Sequence, residues 1–301
     1  MGHLHRVPNS GYAHPMGRPD GADAAGRLRE ALSALLGAAE FAVTSVGLVA
    51  DEVLRQRAAL RDTEHRPWPL PARPWLMGQT WYDLLFAHWA LAPELIRPLI
   101  PTPLDVDERE GRAWLAVTPF RMAGLRGRGT PPLPWLSRFP ELNVRTYVHY
   151  RGRPGIYFLS LDAARLAAVV AARRGYRLPY FHADMSAQRA GERVRYRSVR
   201  IDSSGPPAEF RAGYGPSGPR LPIEDGSLER WLSERYCLYV VDDRGHALRA
   251  DIHHSPWPLQ PAVATIDLNT MAAPLGVTLQ GDPLLHYSAR QDVVIWPLEP
   301  A

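Results

Sequence analysis

Five polar side chains in one short segment carry the most chemistry in this sequence. The run ELNVRTYVHY from Glu141 to Tyr150 has the composition of a strand, and successive side chains of an extended chain point to opposite faces. Glu141, Asn143, Arg145, Tyr147 and His149 therefore share one side. Leu142, Val144, Thr146, Val148 and Tyr150 share the other, an ordinary packing face. The first side presents a carboxylate, an amide, a guanidinium, a phenol and an imidazole in order. It is either a stripe lining a pocket or a solvated outer face carrying a Glu/Arg pair. In a pocket, Arg145 can hold a carboxylate or another anion by a bidentate contact, with Asn143, Tyr147 and His149 completing the binding surface. Glu141 is then a general base or the partner that neutralises Arg145, and neutralisation is the expected role, because an unpaired buried charge costs several kcal/mol.

Two further segments offer acid–base groups. In LPYFHADM, Tyr180, His182 and Asp184 fall on one side of an extended chain, where an aspartate can orient a histidine through Nδ1 and a tyrosine can donate a proton. A hydrogen-bonded structural pair is the alternative. In IHHSPW, His253 and His254 point to opposite faces of a strand, so only one can enter a mononuclear site. His253 and Trp257 are taken as ligand-lining side chains, and no metal or cofactor is expected. Arg193, Arg195 and Arg197 make a basic strand face, read as solvated, with a phosphate or anionic cofactor as the other possibility. Neither a glycine-rich phosphate loop nor a GxSxG nucleophile elbow is present.

What is missing narrows the chemistry further. The 301 residues contain no lysine, so all 35 basic residues are arginines, and a Schiff base on a lysine amine is excluded. The net charge is only +4, which gives little reason to expect nucleic acid as a partner. Cys237 is the only cysteine, so an intrachain disulfide is impossible. Residues 1–26 lack a basic start followed by an apolar run and are expected to be disordered, and the protein to be cytoplasmic.

The elements that must position these residues are mostly β. Thirty prolines and twenty-four glycines fall mainly between short β-rich runs, as in a turn-rich architecture. Strands are expected at Trp75–Phe86, Arg112–Arg121, Leu142–Tyr150, Gly155–Leu161, Arg193–Ile201, Tyr236–Val241, Ala262–Leu268 and Val293–Trp296. Arg151–Pro154 and Asp242–Gly245 read as hairpin turns. Helices are expected at Pro93–Ile100, at Ala163–Arg174 with Asp162 as cap and Gly175 as stop, and at Ser227–Glu234 with Ser227 as cap. Upstream, Leu28 through Leu60 repeat apolar residues in steps of four and three, broken only by Gln56, which predicts a long helix over 27–62. Its segment 31–50 has Glu40 as the only charged residue before Asp51, so docking, dimerisation, a membrane-surface position and a membrane span are all open. The proline-rich stretch 63–74 is a connector, and one domain follows over 75–301.

A string of segments in order resembles the YqjF-like family, a group without an established activity. These are RPWLMGQTWYDLLFAHW from Arg73, IPTPLDVD from Ile100, FPELNVRTYVHYRGRPGIYFLSLDA from Phe139, LPYFHADM from Leu178, SLERWLSERYCLY from Ser227 and IHHSPWPLQPA from Ile252. The resemblance implies an acetoacetate decarboxylase-like fold. That is an α+β, mainly β architecture, a curved antiparallel sheet closing into a cone or barrel around an interior pocket, with a few short helices. It also places Tyr180 and Phe181 where the decarboxylase carries its lysine pair. The expectation is thus a small-molecule-binding protein or enzyme for a compact anionic or oxygenated ligand, with Glu141, Tyr180 and His182 in acid–base roles of the lyase or isomerase type. The alternative is a non-catalytic assembly module whose N-terminal helix drives homo-oligomerisation or membrane contact.

Overall fold

Runs rich in valine, isoleucine, leucine and aromatics become strands because branched and flat side chains fill a pleated, half-buried surface well. The computed structural model describes residues 46–133 and 136–301, and residues 49–301 form one compact unit. Among the described residues thirteen strands join in a single sheet: β1 Met77–Leu91, β2 Asp105–Val106, β3 Ala113–Gly127, β4 Phe139–Tyr150, β5 Arg153–Ala163, β6 Tyr180–Ala190, β7 Arg193–Arg200, β8 Glu209–Pro216, β9 Cys237–Val241, β10 Ala247–His254, β11 Gln260–Asn269, β12 Leu284–Ile295 and β13 Glu299–Pro300. The expected strands are all present, several longer than predicted. The result is a mainly β α+β fold.

The long antiparallel core runs β12–β1–β3–β4–β5. Its ends approach each other through β9 and β10, but the joins are slight. β5 meets β9 over two parallel pairs, Ile156 with Leu238 and Tyr157 with Tyr239, and β10 meets β12 over three. The sheet is therefore a partial ring, where the family resemblance implied a closed cone or barrel. It is also not purely antiparallel, since β5 pairs with both β6 and β9 in parallel. A second arm, β6–β7–β8–β11, leaves from β5 and returns to β12 through Gln260 and Pro261.

The turns explain the register. Arg151 and Gly152 both adopt positive φ, 50° and 75°, the geometry that joins two twisted strands with two residues, and β4 pairs with β5 directly across them. At the other predicted hairpin, Asp242 Oδ1 accepts from the amides of Arg244 and His246, and Gly245 takes a φ of 80°.

Helices are few. Residues 46–59 are helical (α1), followed by α2 Pro93–Ile96 with a 3-10 turn at Arg97–Leu99, α3 Leu166–Tyr176 and α4 Leu228–Ser233. α4 begins as predicted, with Ser227 Oγ accepting from the amide of Arg230. α3 does not. Asp162 is spent on a buried ion pair with Arg200 at 2.8 Å, the uncapped start lies at Arg165, and the stop is Arg177 in the left-handed region while Gly175 stays inside the helix. Among the described residues no helix is long and apolar enough to cross a membrane. Most of the segment 31–50, the expected disorder of 1–26 and the first half of the predicted N-terminal helix lie outside the described residues.

Within 49–59, the docking face of α1 is polar. Val49 and Val53 of the predicted stripe are half-buried, but the fully buried positions are Glu52, Gln56 and Ala59. Gln56, the residue that interrupts the apolar repeat, donates to Thr80 Oγ1 and to the carbonyl of Gly124 and accepts from Arg126 Nε at 2.8 Å. Glu52 pairs with Arg138 at 2.6 Å. Gly124 permits this approach, because a Cβ there would lie 2.9 Å from Glu52 Oε2 on a backbone already at φ +57°. The outer side of β1 and β3 is thus sealed by hydrogen bonds.

Gly155 governs the weakest join of the ring. A Cβ at this position would meet Tyr239 at 2.7 Å, Cys237 Sγ at 2.8 Å and the Cys237 carbonyl at 2.9 Å, so Gly155→Ala must push β9 away from β5. Overpacking of this kind costs about 1–3 kcal/mol. Urea unfolding of Gly155→Ala is expected to show a loss in that range; an unchanged midpoint would mean that the β5–β9 join bears no load.

Candidate functional site

β4 is buried along most of its length on both faces, which disposes of the solvated reading of its polar side. Leu142, Val144 and Val148 pack into the main apolar cluster. On the opposite side Glu141, Asn143 and Arg145 line a cavity of about 310 Å³ inside the ring, with Trp81, Phe120 and Phe158 among the apolar residues around them. The small side of α3, Ala168, Ala171, Ala172 and Gly175, also faces this cavity.

Arg145 is the electrostatic anomaly of the site. It is 6 % exposed, and neither Nε nor Nη2 has a hydrogen-bond partner among the described residues. The aromatic faces of Phe86 and Tyr147, 5.2 and 5.9 Å from the guanidinium carbon, are its main company. Glu141 does not neutralise it. The two are four residues apart on one strand, about 13 Å between α-carbons, and the Glu141 carboxylate instead accepts from Tyr180 Oη at 3.0 Å. With no cation paired to it among the described residues, burial pushes the Glu141 carboxyl up to about 8, offset in part by the Tyr180 hydrogen bond. Burial, and then the neighbouring Glu141 charge, raises the Tyr180 phenol well above its ordinary value. At neutral pH this pair is two uncharged donors.

Between the two ends stand Asn143 and its cross-strand neighbour Thr118. Asn143 Oδ1 and Thr118 Oγ1 are buried without partners among the described residues. The wall therefore offers a cation, then unsatisfied neutral polar atoms, then a neutral carboxylic acid and a phenol.

Comparison with known proteins follows the same architecture. The model of the family DUF2071, described as an uncharacterized conserved protein, matches residues 78–292. The chain belongs to this family. It is 46% identical over 230 residues to the uncharacterized protein YqjF of Bacillus subtilis (strain 168), covering 76% of this chain and 94% of that one. Among solved structures it is similar in fold to the acetoacetate decarboxylase of Legionella pneumophila, with a TM-score of 0.54 at 13% identity over 80% of this chain and 95% of the other. It is likewise similar to the enduracididine biosynthesis enzyme MppR complexed with pyruvate, with a TM-score of 0.53 at 11% identity over 79% and 94%. Identities this low carry the fold and nothing finer.

Not every candidate of this DUF2071 chain reaches the cavity. Tyr147 is fully buried behind Arg145, its hydroxyl 2.7 Å from His88 Nε2, so it supports the wall. His149 lies at the far end of β4, in a separate surface cleft. His182 is held by backbone bonds to the 201–202 turn, and Asp184, which was to orient it, pairs with Arg197 at 2.7 Å on the exposed side. His253 is bonded through Nε2 to the Ala59 carbonyl and through Nδ1 to Arg66; it fastens the end of α1, and burial lowers its pKa to about 4. Trp257 sits one layer behind the lining, stacked on Trp81 at 5.9 Å. The basic face of β7 is largely exposed, as expected. Among the described residues no three His, Cys, Asp or Glu side chains come together to hold a metal ion.

Lining residues that strand alternation did not reveal include four each from β1 and β3. Met77, Gln79 and Trp81 face inward at odd positions, but Leu84 does so at an even one, because Asp83 adopts φ 53° at a register break between Tyr82 and Ala87. Such a bulge exchanges the faces of the strand. Simple alternation fails there.

The shifted Glu141 carboxyl makes stability depend on pH. An acid whose pKa is raised by folding adds no penalty below its unfolded value near 4.5, loses stability as pH rises through the window, and carries the full cost above about 8. Glu141→Gln removes this dependence. Its unfolding free energy in urea is expected to match wild type near pH 5 and to exceed it increasingly up to about pH 8.5, by on the order of a few kcal/mol; parallel profiles would show that Glu141 is not a buried neutral acid.

Proposed function

We propose that the interior cavity binds a compact carboxylic acid, with its carboxylate on Arg145 and its reactive end at Glu141 and Tyr180. The observation that supports this best is a buried guanidinium on the cavity wall whose Nε and Nη2 have no hydrogen-bond partner among the described residues. A carboxylate accepts from an arginine fork in two parallel bonds, and it removes the cost of an isolated buried charge. The remaining lining is largely apolar and aromatic, which suits a short hydrocarbon body. Thr118 and Asn143 stand where a hydroxyl or keto oxygen of such an acid would fall.

The chemistry open to this site is acid–base. Glu141, neutral at pH 7, can protonate an oxygen or carbon of the ligand and take the proton back, and Tyr180 can hold the resulting oxyanion by a hydrogen bond. Enolisation, hydration or dehydration, and loss of carboxylate without an imine all fit these groups. An imine does not, because the chain has no lysine. This separates the proposal from the chemistry of a lysine-bearing site on the same fold.

Pyruvate, with which one fold neighbour is complexed, is a suitable first test compound alongside longer 2-keto and 2-hydroxy acids. Saturating ligand at about 100 times its Kd adds about 2.7 kcal/mol to stability. The wild-type protein is expected to show such a rise with at least one short acid, and Arg145→Leu none. The ligand-free Arg145→Leu protein is expected to be as stable as wild type or more so, since the substitution removes an unpaired buried cation. Ligand binding unchanged in Arg145→Leu would sink the proposal. Keto acid with borohydride is expected to leave the mass of the folded domain unchanged; an internal adduct away from the α-amino terminus would contradict it.

A further inference from the structure

A second concentration of guanidinium groups lies outside the ring cavity, in a surface cleft of about 740 Å³ between the 64–67 segment, the β4–β5 hairpin and α4. Four arginines line it, Arg66, Arg109, Arg230 and Arg235. Two of them form its floor, Arg66 at 8% exposure and Arg235 at 5%. Each keeps an unsatisfied donor: Nη2 of Arg66 and Nη2 of Arg235 have no hydrogen-bond partner among the described residues, while on the rim Arg109 Nε stands 3.6 Å from Glu110 and Arg230 pairs with the exposed Asp225 at 3.1 Å.

The carboxylates of the cleft do not fill this demand. Asp107 bonds Arg235 through Nη1 at 2.5 Å, leaving Nη2 free. Glu234 accepts from the Trp257 amide and from the Tyr236 hydroxyl. Glu64 also borders the cleft and forms no ion pair among the described residues. Arg66 has no carboxylate partner there; it donates to the carbonyls of Trp68 and Ile252 and to His253 Nδ1, and lies 4.6 Å over the Tyr236 ring. Arg235 lies 4.3 Å over Trp231. Both rings are thus occupied by guanidinium faces and are not free to stack a base or sugar.

We propose that this cleft binds a tetrahedral oxyanion, the phosphate group of a small molecule, at a site distinct from the ring cavity. Donors left over on the two floor arginines, with two further guanidinium groups on the rim, make a multidentate set that suits a group with three terminal oxygens better than a planar carboxylate. The depth of the two floor arginines favours a free small anion over a headgroup held in a bilayer or the backbone of a duplex.

The test uses the full chain and inorganic phosphate as the ligand, followed by calorimetry and phosphorus NMR at about 0.15 M ionic strength. Saturable binding of phosphate, tighter than that of acetate, is expected. The double variant Arg109→Gln/Arg230→Gln, which alters the two rim arginines and spares the floor, is expected to keep its fold and weaken phosphate binding by at least about tenfold. Arg145→Leu, whose guanidinium belongs to the other cavity, is expected to change it by less than about threefold. Absence of saturable binding, equal affinity for acetate, indifference to the double rim variant, or loss of binding in Arg145→Leu would each overturn the proposal. Because the ring cavity is read out by Arg145→Leu alone, failure there leaves the cleft untouched.

Discussion

An arginine buried on the inner wall of a β ring, with no carboxylate among the described residues to answer it, is the constraint around which the rest of this protein is arranged. A cation in that position is costly unless something compensates, and two aromatic faces at 5.2 and 5.9 Å compensate only in part. The nearest carboxylate along the strand lies too far away and is itself neutralised by burial. Charge and acid are held apart on one strand, a division that serves a ligand able to bridge them. The same separation means that neither group stabilises the other, so the wall by itself is electrostatically unfinished.

Holding Arg145 inside depends on features remote from it. β3 pairs with β4 and sets Ala116 opposite Arg145, and β1, the next strand, changes its inward residues at the Asp83 bulge. Asp83 is fully buried, paired with Arg121 and with Arg189 at 3.0 Å, and accepts from Tyr287 at 2.8 Å. Its backbone carbonyl also accepts from Tyr214. These contacts fix a left-handed residue that a non-glycine side chain seldom adopts. Behind the same strands, Gln56 and Glu52 bind the outer surface through hydrogen bonds, so the wall is secured from both sides.

Much of this was legible from the residues and some was not, for identifiable reasons. The alternation of Glu141, Asn143 and Arg145 against Leu142 and Val144 was visible because β4 is regular at these positions, and the Arg151–Gly152 turn and the Ser227 cap follow local rules. Partnerships were less visible than faces. Asp162 looked like a helix cap and is an ion-pair partner; Gln56 looked like a defect in an apolar stripe and is the centre of a docking surface. Residue type suggests a ligand-lining role for His253, whose ring instead bonds the Ala59 carbonyl and Arg66, and His182 is bonded to the 201–202 turn through its backbone. Long-range pairing decided each of these, and nothing local in the sequence records it.

The most direct measurement is a crystal structure of the protein with a bound short keto acid. The account predicts carboxylate oxygens within about 3 Å of Arg145 Nε and Nη2, with Glu141 still bonded to Tyr180 at the other end of the ligand. An acid bound elsewhere, or a Glu141 side chain turned to pair with Arg145 in the ligand-free crystal, would contradict it.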